Sequence, residues 1–498
     1  MGLRGGSKGK KLGNDAFFCR SARYYFWIPM AILFSGFIYV MNELRTNGPC
    51  KINSYSSVMR YGQPENVWTG DLRTLDVAWN GLCFGSPPEK LRVAVFSKKW
   101  PVGGAPGGME RHALTLHTAL ARRGHEIHVY TVPADGSISG KKDMVQGGLH
   151  VHFVQNNLGR LNCSAAWENL ARVGHVDVVH SESVALPHYR AKEVPNLAAT
   201  WHGIGYEALH SELIQDLLRK PGESRSAEIE HSMGERLPRL LDEIRFFPSY
   251  KHHVPISDYA GEVLRNIYQI PSENVHIILN GVDEHKFRPD PALGAAFRAE
   301  FGVPSNATLV MGVAGRLVKD KGHPVLFQAF SEIRKAYKGV YLVIAGAGPW
   351  EERYKEFAPN AVVVGAMNPA RLAAFYNALD VFLNPTLRPQ GLDLTLLEAM
   401  QCGKPLLASR FPSITRSVIV SPDFGYTFHP NVGSLIKEIQ AVIGDGPHEL
   451  RRKGRSCRVY AARMFTASKM ASAYERLFLC LKNESYCQYP LSFDCPDS

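Results

Sequence analysis

"LRVAVFSKKWPVGGAPGGMERHALTLHTALARRGHEIHVYT", Leu91–Thr131, is the stretch that decides the fold. Leu91–Ser97 is a short, nearly continuous apolar run, the pattern of a strand buried on both faces of a parallel sheet. A glycine-rich turn follows. Ala113, Leu114, Leu116 and Leu120 then recur at helical spacing until Gly124 stops the helix. Ile127, Val129 and Tyr130 begin a second strand, which completes a βαβ unit.

The same beat returns at "VDVVHSE" (176–182), "NLAATWHG" (196–203) and "NVHIILNGVD" (274–283). A second series runs through "ATLVMGVAGR" (307–316), a helix over 322–337, "VYLVIAGAGP" (340–349), "NAVVVGA" (360–366), "LDVFLNP" (379–385) and "PLLAS" (405–409). Two successive α/β domains, each a parallel sheet flanked by helices, are the simplest architecture. Parallel sheets present ligands at the carboxyl ends of their strands, so the expected site is the cleft between the domains.

The 498 residues suffice for two or three cores, and 45% apolar with 21% charged residues is ordinary globular composition. The N-terminus differs. Tyr24–Met41 is 18 residues without a charge, about 27 Å as a helix and close to the thickness of a hydrocarbon core. Arg4, Lys8, Lys10, Lys11, Arg20 and Arg23 precede it against one acid, Asp15. That asymmetry predicts a type II anchor with residues 42–498 translocated. A cleaved signal peptide is the competing reading, although no Ala-x-Ala follows the apolar run. The expected location is a Golgi or other early secretory membrane, a short span suiting a thin bilayer. The tail contributes +5 of the formal net charge of +11, so the rest of the chain is only mildly basic and does not read as a nucleic-acid binder. Cys480, Cys487 and Cys495 cluster where a staple is plausible, with pairing left open, and Asn162, Asn306 and Asn483 head glycosylation sequons.

Chemistry-bearing residues concentrate at the strand ends. Arg316 and Lys321 in "GRLVKDKG" stand just before a helix, where two cations and free backbone N–H groups suit a diphosphate; otherwise they form a solvated basic loop. Gly346 and Gly348 permit a tight turn and close approach, to a ligand or simply within a βα turn. Glu398, one turn into its helix, either accepts both hydroxyls of a ribose or faces water. His202 in "ATWHGIG" either contacts a sugar or is structural. His112 and His117 are i and i+5, not the i, i+4 of a metal pair, and are expected at the surface or partly buried. No dinucleotide fingerprint follows the first strand and no Walker A loop occurs, which disfavours nicotinamide and P-loop chemistry. Asp-x-Asp is also absent, so a metal-dependent sugar-nucleotide transferase would lack its usual ligand pair.

Taken in order, "PGGMERHALTLHTALARRGHEIHVYT", "TWHG", "PISDYA", "NGVDEHKFRPD", "GVAGRLVKDKG", "AGAGP" and "GLDLTLLEAMQCGKPLLAS" resemble the retaining glycosyltransferases of family four, over roughly residues 90–475. The resemblance implies an α/β GT-B fold, two Rossmann-like domains facing a cleft, here with an N-terminal transmembrane helix. Its expected limits are a cytosolic tail 1–23, anchor 24–41, stem 42–88, acceptor domain 89–285, nucleotide-sugar domain 286–460 and a tail 461–498 returning to the first domain. It further implies that Gly107 and Gly108 approach a substrate from the first domain and that His202 sits near the transferred sugar. Arg316 and Lys321 would neutralise the diphosphate, and Glu398 would hold the ribose. Gly315, Gly346, Gly348, Gln390, Gly391, Leu392, Asp393 and Leu394 would complete the donor site.

Expected partners are a nucleotide-sugar donor, probed first as UDP-linked, a glycan or glycoconjugate acceptor and the membrane. No metal or other cofactor is expected. A fold-retaining pseudoenzyme that binds glycans is the alternative. Two departures bear on the donor side. Members of the family commonly carry two glutamates eight positions apart, the first of them opening a Glu-Gly-Phe-Gly stretch. Here Gln390 replaces the first glutamate and Asp393 the second glycine, an acid that either compensates for the lost carboxylate or alters which sugar fits. In 411–417, Pro412, Ser413 and Arg416 stand where relatives often have two glycines and a glutamate.

Overall fold

The computed structural model describes residues 68–102, 106–135, 142–157, 160–219, 222–389 and 391–495. The expected tail and anchor, the stem as far as residue 67, and Gln390 lie outside these. Among the described residues no helix is long and apolar enough to cross a membrane.

The first domain is built on a seven-stranded sheet. Its strands are β1 (Arg92–Phe96), β2 (Glu126–Thr131), β3 (Met144–Gln146), β4 (Leu149–Phe153), β5 (Val178–Glu182), β6 (Leu197–Trp201) and β7 (His252–Pro255). They are ordered β7-β6-β5-β1-β2-β4-β3. All pairs are parallel except β3 with β4. The central strands are apolar on both faces because helices cover both: Val93, Ala94, Val95 and Phe96 are all buried. Helix α1 (Gly108–Arg122) packs Ala113, Leu116 and Leu120 inward, whereas Leu114, expected in that stripe, is 39% exposed. Helices α2 (Gly205–Leu217), α3 (Ala227–Phe246) and α4 (Asp258–Asn266) follow.

The second domain carries six parallel strands: β8 (Leu309–Ala314), β9 (Val340–Ala345), β10 (Ala361–Gly365), β11 (Val381–Asn384), β12 (Leu406–Ser409) and β13 (Gly425–Phe428). Their order is β10-β9-β8-β11-β12-β13. Helices α5 (His323–Ala336), α6 (Pro369–Asn377), α7 (Leu394–Gln401) and α8 (Val432–Met464, kinked at Gly446) surround them.

One expected strand is corrected. Residues 274–283 do not form a regular ladder; His276 and Ile278 instead donate to the carbonyls of His253 and Pro255, extending the β7 edge irregularly. This segment leads the chain out of the first domain. The chain returns through helix α9 (Ala467–Lys482), whose Met470, Tyr474, Leu477 and Phe478 are fully buried in the first domain's core. The two crossings are bonded side by side: Val282 N–H donates to Phe465 O (2.9 Å) and Ala467 N–H to Val282 O (2.9 Å). A Cβ on Gly281 would lie 2.3 Å from Thr466 O, so the crossings touch backbone to backbone.

The described part of the stem packs on the same core. Leu72, Trp79 and Leu82 are buried, and Asn80 bonds the backbone of Leu279 on both sides. Disulfides Cys83–Cys495 and Cys480–Cys487 fix the end of the chain to this region. Cys402 and Cys457 are buried thiols.

Phe478 carries the packing of α9. Phe478→Ala leaves a cavity in a close-packed core and is expected to cost about 3–5 kcal/mol of unfolding free energy, read from urea denaturation.

Candidate functional site

At the carboxyl ends of β5 and β6 the sheet delivers Glu182 and His202 side by side. Pairing of these parallel strands sets Glu182 opposite Thr200, two residues before the histidine. Glu182 is fully buried and holds His202 Nε2 at 2.5 Å through Oε2 and His117 Nε2 at 3.0 Å through Oε1. His180 Nε2 bonds the Thr200 hydroxyl (2.8 Å), which meets Tyr474 of the returning helix (2.7 Å). Burial alone would raise the Glu182 pKa, but the bond from His117, the neighbouring His180 ring and the bond from His202 hold it well below the usual carboxylate range. Burial pushes His112 and His180 down to about 3.

Thus His112 and His117, expected at or near the surface, are both buried. Their helix turns them inward with Ala113, Leu116 and Leu120. Glu182 was not singled out from sequence, although an acid closing the apolar run "VDVVHSE" is its available signal.

In the second domain, Lys321 ends a short 3-10 turn immediately before α5, and its Nζ lies 2.6 Å from Asp393 Oδ1. Asp393 Oδ2 accepts from Asn384 Nδ2 at 3.1 Å. Burial works to raise the Asp393 pKa, but Lys321 and the Asn384 bond outweigh it and leave it lowered. Arg316 follows β8, is 66% exposed and lies 3.9 Å from Asp320.

Gly315 and Gly346 form the adjoining turns of β8 and β9. With φ of +141° at Gly346, a Cβ there would lie 1.8 Å from Gly315 O, so this close approach excludes any side chain. Gly348 stands likewise against Leu317 O, at 2.6 Å. Leu392 and Leu394 are buried in the second domain's core, and the Leu392 carbonyl accepts from Asn280 (3.0 Å).

Glu398 is wholly buried on α7; it accepts from Tyr376 Oη at 2.7 Å and is ion-paired with Arg111 of α1. That pair bridges the two domains. Arg388 reaches the buried Glu207 of α2 at 3.1 Å, and a Cβ on Gly391 would meet the same carboxylate at 3.0 Å. Burial raises the Glu207 pKa despite Arg388. Lys319 pairs with Glu228 (3.1 Å), Arg416 with Glu262, and Ser417 Oγ donates to Asp258 Oδ2 (2.6 Å). Arg416, the departure noted in 411–417, therefore acts across the domains. Gly107 caps α1 and Gly108 begins it, with open space where a Cβ on Gly108 would be. The cleft thus gathers Lys321, Asp393, Glu398, His202 and Arg111, a set able to bind anions and polyhydroxyl groups.

Comparison with known proteins agrees with this architecture. Residues 106–286 match the family described as Glycosyltransferase Family 4, and residues 308–445 that described as Glycosyl transferases group 1. The chain is 26% identical to D-inositol 3-phosphate glycosyltransferase of Segniliparus rotundus, over 78% of this chain and 90% of that protein. It is 23% identical to the lipopolysaccharide 1,2-N-acetylglucosaminetransferase of Salmonella typhimurium, over 46% of this chain and 65% of that one. Among solved structures, sucrose-phosphate synthase of Thermosynechococcus elongatus superposes with a TM-score of 0.61 at 19% identity, covering 78% of this chain and 100% of that one. HepE of Anabaena, solved with UDP and glucose, gives 0.56 at 16% identity over 77% and 98%. The chain is therefore built of two glycosyltransferase domains in the GT-B arrangement. The expected Golgi, single-pass type II location is corrected: these curated relatives are bacterial enzymes, which conflicts with that placement.

The buried imidazoles impose a pH dependence. His112 and His180 bind protons near pH 6.5 when unfolded but only near 3 when folded, so between those values the unfolded chain holds more protons. Stability is therefore complete above about pH 6.5 and falls on acidification, by up to about 1.4 kcal/mol per pH unit for each ring. Melting temperatures should drop progressively between about pH 7 and about pH 5, and a flat profile there would contradict it.

Proposed function

We propose that this chain of two glycosyltransferase domains moves a sugar, with retention of anomeric configuration, from a nucleoside diphosphate donor to a glycan or glycoconjugate hydroxyl, without a metal ion. UDP is the nucleotide to test first, because the similar Anabaena protein was solved with UDP and glucose. The observation that carries the reading is Lys321, held at the start of α5 by an acid, Asp393, that an incoming diphosphate can displace.

Breaking the sugar–phosphate bond leaves negative charge on the departing diphosphate. Lys321, Arg316 and the α5 N-terminus are cations and oriented dipoles aimed at that charge, and they take the place a metal would otherwise have. The acceptor hydroxyl attacks from the face the diphosphate leaves and gives its proton to a leaving phosphate oxygen, so no side-chain nucleophile is required. His202, fixed by Glu182, orients the sugar. Glu398 receives the ribose once Arg111 withdraws as the cleft opens for the donor. Asp393, bonded to Lys321, supplies a negative charge on the donor side where Gln390 does not.

A second reading has a specific observation behind it. Glu398 and Lys321 are both engaged by other side chains, which is what a fold-retaining glycan binder without turnover would tolerate.

Purified full-length chain should hydrolyse or transfer from at least one UDP-sugar in a donor panel, and Lys321→Ala should lower kcat/KM by about 100-fold or more. Donor or glycan binding with no turnover in the wild type would favour the second reading. For Asp393, Gln390→Glu should restore activity lost in Asp393→Gly if the two positions compensate. Independent effects in the double variant would refute compensation.

A further inference from the structure

His112 is 1% exposed, and neither of its ring nitrogens has a hydrogen-bond partner. A buried imidazole left this way forfeits about 1–3 kcal/mol for each unmet group. The ring is not isolated. It lies edge-on to His202, with centroids 4.5 Å apart. Ligand atoms of His112, Glu182 and His202 all fall within 4.8 Å of one another. Glu182 is turned toward this group by its other oxygen, which His117 holds at 3.0 Å. His202, 12% exposed, connects the group to the cleft and supplies a way in.

We propose that His112, Glu182 and His202 form a binding site for one divalent transition metal ion of the zinc class. Two neutral imidazoles and a carboxylate are the donor set such ions favour, whereas magnesium and calcium prefer all-oxygen shells. An ion about 2.0–2.1 Å from each donor draws the three atoms to about 3.4 Å apart, the edge of a tetrahedron of that size. Entry breaks the 2.5 Å hydrogen bond between His202 Nε2 and Glu182 Oε2, and the ion takes the Nε2 lone pair while the neutral ring carries its single proton on Nδ1. The fourth position faces the cleft and takes water. The His117–Glu182 bond is the outer contact that orients the ligating carboxylate. A deeper triad, His117, His180 and Glu182, shares the same acid but is wholly buried, and His180 Nε2 is already bonded to Thr200. It lacks the opening that His202 provides.

The ion would occupy His202 Nε2, the nitrogen through which Glu182 fixes the ring that orients the sugar in the transferase reading. Zinc therefore competes with transfer rather than serving it. The inhibition rests on that reading, while the binding site does not.

The test uses tag-free, full-length chain freed of metal by chelator dialysis. Zinc binding is followed by calorimetry, and cobalt binding by its visible ligand-field absorption. One equivalent should bind, with a four-coordinate cobalt spectrum. His112→Ala, His202→Ala and the near-isosteric Glu182→Gln should each weaken binding by more than about tenfold, with folding checked by circular dichroism. Unsaturable binding, affinity unchanged in both His112→Ala and His202→Ala, or loss on His180→Ala but not on His112→Ala would overturn the assignment. The wild-type cobalt spectrum decides even if a variant fails to fold. Zinc binding without any sugar transfer would sink the transferase reading alone; transfer without zinc binding would sink this one alone.

Discussion

Glu398 is a carboxylate with no access to water, and such a group persists only if cations or donors meet it from within the protein. Tyr376 serves it from its own domain, and Arg111 comes from the other. Removing one member of a buried pair typically costs about 3–5 kcal/mol, so this contact sets the energetic terms on which the two domains part. Around it, Arg388–Glu207, Lys319–Glu228 and Arg416–Glu262 also join the domains through charge, beside a buried apolar cluster that Ile256, Ile277 and Leu279 share with Leu392, Leu394 and Ile414. A charged seam can be exchanged for a charged or hydroxyl-rich ligand at modest net cost, because each group loses one partner and gains another. An apolar seam could not.

The two halves of the cleft solve different problems. The second domain brings cations to one place and keeps them balanced: Lys321 rests on Asp393, and Arg316 remains largely in solvent. The first domain does the opposite, surrounding one acid, Glu182, with imidazoles that are individually costly to charge. Both arrangements depend on parallel strands ending together, so that residues distant in sequence converge without long loops. The turn glycines matter for the same reason. Gly346 lets the ends of β8 and β9 approach to backbone contact beside the cations.

Much of this was legible in the sequence. The βαβ rhythm located most strands to within two or three residues, because buried parallel strands are apolar throughout and glycine ends their helices. The edges were harder. Residues 274–283 are as apolar as a strand, yet they bond β7 only in part, since they must also carry the chain into the second domain. Strands β3 and β13 are short and flank a sheet, and their composition is too ordinary to announce them. Among the candidate residues, Lys321, Arg316 and His202 stand out in the sequence by position after a strand, and of these Arg316 lies largely in solvent beside Asp320. Arg111, Glu182 and Glu207 did not, because their significance is a pairing across tens to hundreds of residues. The periodicity of α1 gave its apolar face but could not say that two histidines would share it; His117 does so on the buried Glu182 beneath it, and His112 against the His202 ring.

Among the described residues the chain passes between the domains twice, and the two passages at Val282 and at Phe465–Ala467 are hydrogen-bonded to each other. A single crossing is a swivel, free to bend and twist in several directions. Two crossings clipped together resist twisting, since rotation about their length would shear the bonds between them. Bending remains the soft motion. The second domain can therefore swing like a door on one jamb, returning to the same register each time it shuts, so Arg111 and Glu398 meet again without a search. Precision of closure is thereby assigned to the backbone far from the substrates, and the side chains in the cleft are left free to differ.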